Sequence, residues 1–534
     1  APRAATALLL AAAAAAAPEV HPSITLEDLN FVVTTDLHSW IEGREHEPSL
    51  NATLGHAISF LEQLQSIGSQ AKKDVFFFDN GDINDGTGLS AVAEDHVAYL
   101  GPLLQKAPYD ALNIGNHELY SRNGDGAVGG PACPIVGLRD SGYIASWQGR
   151  YLSSNVVWAG TDEPVGSRFT VLEGAFGTRL LVFGFLYNME DHCEAVDVEK
   201  VEEAVQADWF LAALKDHGVQ SDGIVVLFHI DYRDELVEVV LRAIRAELGP
   251  SKPVQVLAGH SHIRGWRRLD DFASSYEPGC KLNTVGFTSF PKRLEGGGRL
   301  PFRYADLDGN TAVLAGALNA SGGEVLTPKG RAFIGALAET KKSLGIDEVL
   351  GCAGQQYSVR SALGESDSLW TYYMGSVVPG ALFDRSSTRP QWSLMGTGGL
   401  TYDIYPGPFT ADDAYKVSPY GNFWFIIQNI KGTTLAELVA RLNGRGYGRG
   451  RAAASWSVPS FVNSSAPQEA ASYDVVYCDF DAEPLESMLA ELLGGGRPER
   501  KVYRPSSNTS SILVDWFRGQ PCSSGSQGGP ALFA

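Results

Sequence analysis

The 534-residue sequence predicts an α/β fold, and three observations carry that expectation. Short apolar runs of strand length recur through the first half. Helical patterns at about 54–67, 199–217 and 234–248 alternate with them, and the last stops at Gly249-Pro250, a pair that ends helices. Five of the apolar runs end in polar residues: FVVTTDLH (31–38), VFFFDNGD (75–82), ALNIGNHE (111–118), GIVVLFH (223–229) and VQVLAGHSH (254–262). In an open α/β sheet ligands collect outside the carboxyl ends of the strands, so five such ends would converge on one crevice despite their separation in sequence.

Those ends carry Asp36, His38, Asp82, Asn116, His229, His260 and His262. Carboxylates, an amide oxygen and imidazoles favour Zn, Mn, Fe or Co over Ca, and the absence of cysteine argues against a structural zinc knot. The expected cofactor is a pair of divalent ions, held roughly 3.5–4 Å apart and bridged by a carboxylate, for which Asp82 is the best candidate. A single buried histidine is most often explained by a hydrogen bond to backbone; five blocks together are not. Gly81, Gly115 and Gly259 stand beside the candidate ligands as permissive turn residues. His217 ends a helical pattern, where a cation suits the helix dipole, and His46, His56, His96 and His192 have no strand-end context, so a solvated or structural role is expected for each.

The order D-x-H, G-D, G-N-H-E, H and G-H-x-H resembles the calcineurin-like metallophosphoesterases, and within them the secreted two-domain 5′-nucleotidase family. That resemblance implies an αββα sandwich followed by a smaller α+β C-terminal substrate domain. It implies that Asp36, His38, Asp82 and His262 hold the first metal, that Asp82 bridges, and that Asn116, His229 and His260 complete the second. His117 matches the family's histidine that stabilises the transition state or protonates the leaving oxygen. Many members orient that ring with an Asp three residues later; here the position is Tyr120.

The second half is similar in looser ways. YLSSNV (151–156) looks like the segment following G-N-H-E and nominates Asn155 as a substrate contact. GTGGLTYDIYPGPFTADDAYKVSPYGNFWFII (396–427) resembles the C-terminal substrate domain and nominates Gly398, Gly399 and Tyr420, while NTSSILVDWF (508–517) resembles its last element. The implied organisation is a signal-like segment (1–18), a phosphoesterase domain (19–305), a linker and helix (306–345), a substrate domain (346–525) and a tail (526–534). Departures fall where substrate choice is made. The family's glycine-rich loop ends in an Arg, but Gly399 is followed by Leu400, Thr401 and Tyr402, none of which can give a bidentate grip. The second aromatic of the family's base clamp has no match in YDVVYCDFDAEPL (473–485). Phe423, Trp424 and Tyr477 could substitute, although such aromatics are more often core.

A formal charge of −20 argues against a nucleic-acid polymer or an anionic membrane as partner. A small phosphate ester is still admitted, because metal cations dominate the field inside such a site. Arg3 and the apolar run Ala4–Ala17 read as a signal peptide, too short to span a bilayer, and no later stretch approaches twenty apolar residues. Six cysteines, with acceptors for glycosylation at Asn51, Asn319, Asn463 and Asn508, fit a secreted or lumenal protein. Domain membership suggests pairing Cys133 with Cys193, Cys478 with Cys522 and Cys280 with Cys352. The expected chemistry is hydrolysis of phosphomonoesters, of nucleotides or related small molecules, by a metal-bound hydroxide. Its rivals are a phosphodiester or pyrophosphate hydrolase, and a secreted structural or binding glycoprotein that keeps the metals without turnover.

Overall fold

A computed structural model describes residues 24–93, 96–121, 133–294, 297–319, 326–445 and 458–522. The signal-like segment and the 526–534 tail lie outside the described residues. Two six-stranded sheets form the first half. One runs in the order 303–308, 284–290, 29–34, 76–79, 111–113, 151–152, with the last four strands parallel. The other runs 264–270, 273–278, 254–258, 223–229, 179–186, 169–173, with the central four parallel. Continuous apolar runs suit these strands because both faces are covered. Phe31, Val33 and Phe78 meet Leu180, Val182, Val225 and Leu257 between the sheets. The alternate residues face outward: Val32 and Phe77 pack under the helix Leu54–Gln70, and Phe183 and Phe228 under the helix Glu235–Leu248. The layers are therefore helix, sheet, sheet, helix, as the resemblance implied.

Local chemistry fixes the helix ends. Thr53 accepts the His56 N–H while the His56 ring accepts the Thr53 N–H at 3.0 Å, so His56 completes a capping box. Asp234 caps the N–H of Leu236 at 2.9 Å, and Gly249, at φ 79°, ends that helix. The 199–217 pattern resolves into two short helices, Val201–Ala204 and Asp208–Ala213, and a further turn, Leu214–Gly218. The first unit also runs past residue 305: the strand Arg303–Asp308 closes its sheet, and Leu314, Phe333 and Leu337 from the next two helices join its core.

The C-terminal half is a five-stranded sheet in the order 461–463, 391–396, 472–478, 424–431, 501–502. Helices Gly432–Arg445 and Ala482–Leu493 cover one face, and Ala411–Val417 and Thr509–Arg518 the other. It docks on the first half through a buried ion cluster: Lys416 lies 2.7 Å from Glu42 and 2.8 Å from Asp412, and Lys341 pairs with Glu42 and, at 2.9 Å, with Asp347.

The expected cysteine pairing holds only in part. Cys133 and Cys193 are bonded, but the second bridge joins Cys352 to Cys522. The chain after the last helix returns beside the strand Val349–Ala353, where Cys352 donates its N–H to the Gln520 carbonyl at 3.0 Å. Cys478 instead donates its thiol to Asp481 at 2.8 Å, Cys280 lies against His262, and both are free thiols. The proposed pairs Cys478–Cys522 and Cys280–Cys352 are thus incorrect.

Candidate metal centre

All five polar blocks stand at or just past strand ends, and the two sheets turn those ends toward each other. Asp36, His38, Asp82, His260 and His262, five of the seven candidate ligands, have φ between 45° and 70°. Non-glycine residues seldom adopt this left-handed backbone, and it persists only where the surroundings impose it, as at functional sites. Gly81 also has positive φ, at 90°, whereas Gly115 serves close approach: a Cβ there would meet Asp82 Oδ1 at 2.3 Å.

Two groups share Asp82: Asp36, His38, Asp82 and His262 in one, and Asp82, His229 and His260 in the other. His229 Nδ1 faces the Asn80 carbonyl at 2.8 Å and so carries the hydrogen, which aims Nε2 at Asn116 Oδ1 (3.0 Å) and Asp82 Oδ2 (3.1 Å). His260 Nδ1 lies 2.7 Å from the same Asn116 oxygen. In the first group His38 Nδ1 is committed to the Asn84 carbonyl at 2.9 Å, leaving Nε2 3.1 Å from His262 Nε2. Acceptor atoms therefore converge from several directions and demand positive charge. Burial opposes a charged His229, yet the Asp82 and Asp36 carboxylates outweigh it and push the imidazole up to about 10. Burial, with His117 and His262 nearby, drives His38 down to about 3. Protons forced onto one imidazole and off another are the pattern that divalent ions relieve, by taking the place of the protons. The donor set fits such ions.

Glu118 locks this arrangement. One carboxylate oxygen accepts the N–H groups of Gly115 (2.8 Å) and Asp82 (3.0 Å), and the other accepts that of Ile83 (2.9 Å). Asp82 Oδ1 accepts the His117 N–H at 2.8 Å, so Oδ2 is the oxygen left for the centre. Tyr120, where an orienting Asp was expected, takes the Asn116 amide hydrogen on its hydroxyl at 3.2 Å and so aims Asn116 Oδ1 at His229 and His260. His117 Nδ1 bonds instead to Asp85 Oδ2 at 2.7 Å, and Asp85 Oδ1 lies 3.1 Å from His96 Nδ1. Glu118 and Asp85 had no role assigned from the sequence, and His96, expected to be solvated or structural, pairs with Asp85. The one available signal was a second Asp three residues beyond Asp82.

The candidate substrate contacts divide. Tyr420 reaches the centre from the C-terminal half, its ring stacked on His117 with centroids 6.3 Å apart. Asn155 is fully buried: its amide donates to the Leu186 and Glu199 carbonyls and accepts the Leu186 N–H, so it straps strands and is not available to substrate. Gly399 is buried and accepts the Ser418 hydroxyl at 3.0 Å, while Gly398 is half-buried. Where the family Arg was expected, Leu400 is core, Thr401 bonds to Val417, and Tyr402 reaches across to Glu47 at 2.8 Å. Trp424 and Tyr477 are core, as aromatics in strands usually are. Phe480, missed in the sequence, is 60% exposed on the turn whose Asp479 N–H bonds the Phe423 carbonyl at 2.9 Å, close in sequence to Tyr420.

The chain superposes on a 5′-nucleotidase from Candida albicans with TM-score 0.81 at 23% identity, over 93% of this chain and 99% of that one. It also superposes on a 5′-nucleotidase precursor from Thermus thermophilus with TM-score 0.62 at 18% identity, over 92% and 96%. The fold is that of the two-domain 5′-nucleotidases. Residues 356–457 match the family described as the NAD nucleotidase C-terminal domain, which places the second domain of this 5′-nucleotidase fold independently. An Arthroderma benhamiae protein named only as secreted is 26% identical over 465 residues, covering 79% of this chain and 68% of its own.

Proposed function

We propose that the protein is a dinuclear-metal phosphomonoesterase acting on nucleotides or related small molecules. The observation that carries this reading is His229 Nε2 facing Asn116 Oδ1 and Asp82 Oδ2 at 3.0 and 3.1 Å, with its other nitrogen already committed to backbone. Asp36, His38, Asp82 and His262 would hold one cation and Asp82, Asn116, His229 and His260 the other. When bound, such ions activate water and offset charge growing on phosphorus. His117 would face the leaving oxygen and supply its proton. Tyr420 covers His117, and with the exposed Phe480 it offers two aromatic faces to a nucleoside.

One observation favours a second reading, hydrolysis of a pyrophosphate. The matched C-terminal family carries the name of an NAD nucleotidase, and NAD holds its nucleosides through a pyrophosphate. Two disulfides, the signal-like segment and a relative named as secreted support a secretory route. No helix among the described residues is long and apolar enough to cross a membrane. The deciding experiment is a metal-supplemented panel of nucleotides, dinucleotide pyrophosphates, diesters and sugar phosphates with Asp82→Asn as control. Turnover of monophosphates that vanishes in the control supports the first reading, and turnover of pyrophosphates alone supports the second. No turnover with both metals bound returns the glycoprotein alternative.

A further inference from the structure

We propose, resting on the dinuclear reading above, that Glu277 is the positioning residue that divides the neighbouring histidines His260 and His262 between the two cations. One residue separates them, yet they fall in different groups of candidate ligands. His260 Nδ1 lies 2.7 Å from Asn116 Oδ1, whereas His262 Nε2 lies 3.1 Å from His38 Nε2. An extended strand would send both side chains to the same face. Here the backbone is left-handed at both, with φ 70° and 62°, and the Ser261 N–H folds back to the Gly259 carbonyl at 2.8 Å. Such a backbone persists only where the surrounding structure over-determines it, so Ser261 must be held from outside the turn.

Glu277 supplies that hold. It stands fully buried on the strand Ala273–Pro278, and the Ser261 hydroxyl lies 2.8 Å from each of its carboxyl oxygens. Oε2 also accepts the Tyr232 N–H at 3.3 Å, on the loop that follows His229. Arg267, on the strand paired with that of Glu277, donates Nε to the Tyr232 carbonyl at 3.0 Å, and the Gly259 N–H reaches the Ile230 carbonyl at 3.0 Å. One carboxyl thus ties the loop beyond His229 to the turn that carries His260 and His262. From the other side Asp36 accepts the His260 N–H at 2.9 Å. Asp36 is itself a candidate ligand, whereas Glu277 belongs to neither group and acts through Ser261 and Tyr232.

The test titrates the full chain with Zn against a chromophoric chelator and follows amide exchange of the segment 259–262 without metal. Glu277→Ala should weaken both ions together, each by about ten- to a hundredfold, the range for partners that orient metal-bound histidines. Glu277→Gln should stay within about threefold of wild type, because its amide oxygen still accepts from Tyr232 and the Ser261 hydroxyl can accept as well as donate. Ser261→Ala should reproduce most of the loss, and adding it to Glu277→Ala should change little, since the two form one contact. In the metal-free chain the segment should exchange about tenfold faster in Glu277→Ala and recover in Glu277→Gln, while the sheets keep their wild-type rates. Wild-type affinity in Glu277→Ala, weakening of one ion alone, or full additivity with Ser261→Ala would overturn the assignment. If Glu277→Ala does not fold, Ser261→Ala decides, and unchanged binding in that variant defeats the proposal. A wild type that takes up no metal would count against the dinuclear reading instead; the exchange rates then decide the clamp, and equal rates in wild type and variant would overturn it.

Discussion

His229 Nε2 stands 3.1 Å from Asp82 Oδ2, and Asp82 is also the residue common to both groups of candidate ligands. Replacing it by Asn removes the shared charge and leaves two cations facing each other without a bridge. Wild type loaded with Zn or Mn is expected to hold two equivalents by elemental analysis, and Asp82→Asn to lose both. A wild type that binds less than one equivalent contradicts the dinuclear reading.

Glu118 offers the cleanest separation of scaffold from chemistry. Its carboxylate accepts three backbone N–H groups from two turns, at Gly115, Asp82 and Ile83. A Gln there keeps the shape but points an amide donor at a buried N–H. Glu118→Gln is therefore expected to destabilise by about 2–3 kcal/mol, the cost of a buried donor left unsatisfied. Metal affinity should fall with it, since Asp82 sits on the turn that Glu118 holds. Denaturant melts and metal titration of the same variant check both. A variant as stable as wild type would mean that the turns are fixed by other contacts.

The five polar blocks were legible because each couples a strand-length apolar run to residues that could hold a metal at its end, and parallel strands bring such ends together. The layers followed from the same alternation. Asp85 and Glu118 were harder to read: each acts through a loop contact across 32 or more residues, and the spacing of Asp85 from Asp82 and the place of Glu118 in G-N-H-E do not by themselves say what the side chains hold. The Cys352–Cys522 bridge depends on where the last helix returns, which pairing by domain does not capture. Phe480 was hidden by the search for a glycine-rich turn; its 60% exposure, and the bond of its turn to Phe423, are visible only in three dimensions.

The interdomain ion cluster predicts an acid-sensitive junction. Burial works to raise Glu42, but Lys416 and Lys341 outweigh it and hold the carboxyl far below its ordinary 4.5. A folded-state value below the unfolded one means that its contribution is fully present above about pH 4.5 and is lost progressively as pH falls toward the folded value. Asp412 in the same cluster has the opposite sign: burial pushes it up to about 6, so its cost grows as pH rises from about 4 to 6. Glu42→Gln is expected to cost about 3–5 kcal/mol near neutrality, because it leaves two buried lysines short of a partner. Urea unfolding from pH 7 to pH 3 should show the gap between wild type and variant narrow progressively below pH 4.5. A gap independent of pH would assign the effect to packing.

The last prediction concerns substrate choice, where the C-terminal domain meets the centre. Leu400, Thr401 and Tyr402 are occupied by core and interdomain contacts, so no bidentate cation comes from that loop. On the proposed reading, stacking on Tyr420 and on the exposed Phe480 would supply the binding energy, and stacking is tolerant of base identity because every base has a π-face. Weak discrimination among nucleoside monophosphates is therefore expected, with appreciable turnover of a simple aryl phosphate. Tyr420→Ala and Phe480→Ala should each raise KM for nucleotides by the equivalent of about 1–3 kcal/mol, the value of one stacked base. Both should matter less for the aryl ester, which is smaller than a nucleoside. Steady-state kinetics across the four common nucleotides settles the point. A preference above about a hundredfold for one of them, some 2.7 kcal/mol, is more than stacking alone supplies and would require a hydrogen-bonding contact to the base.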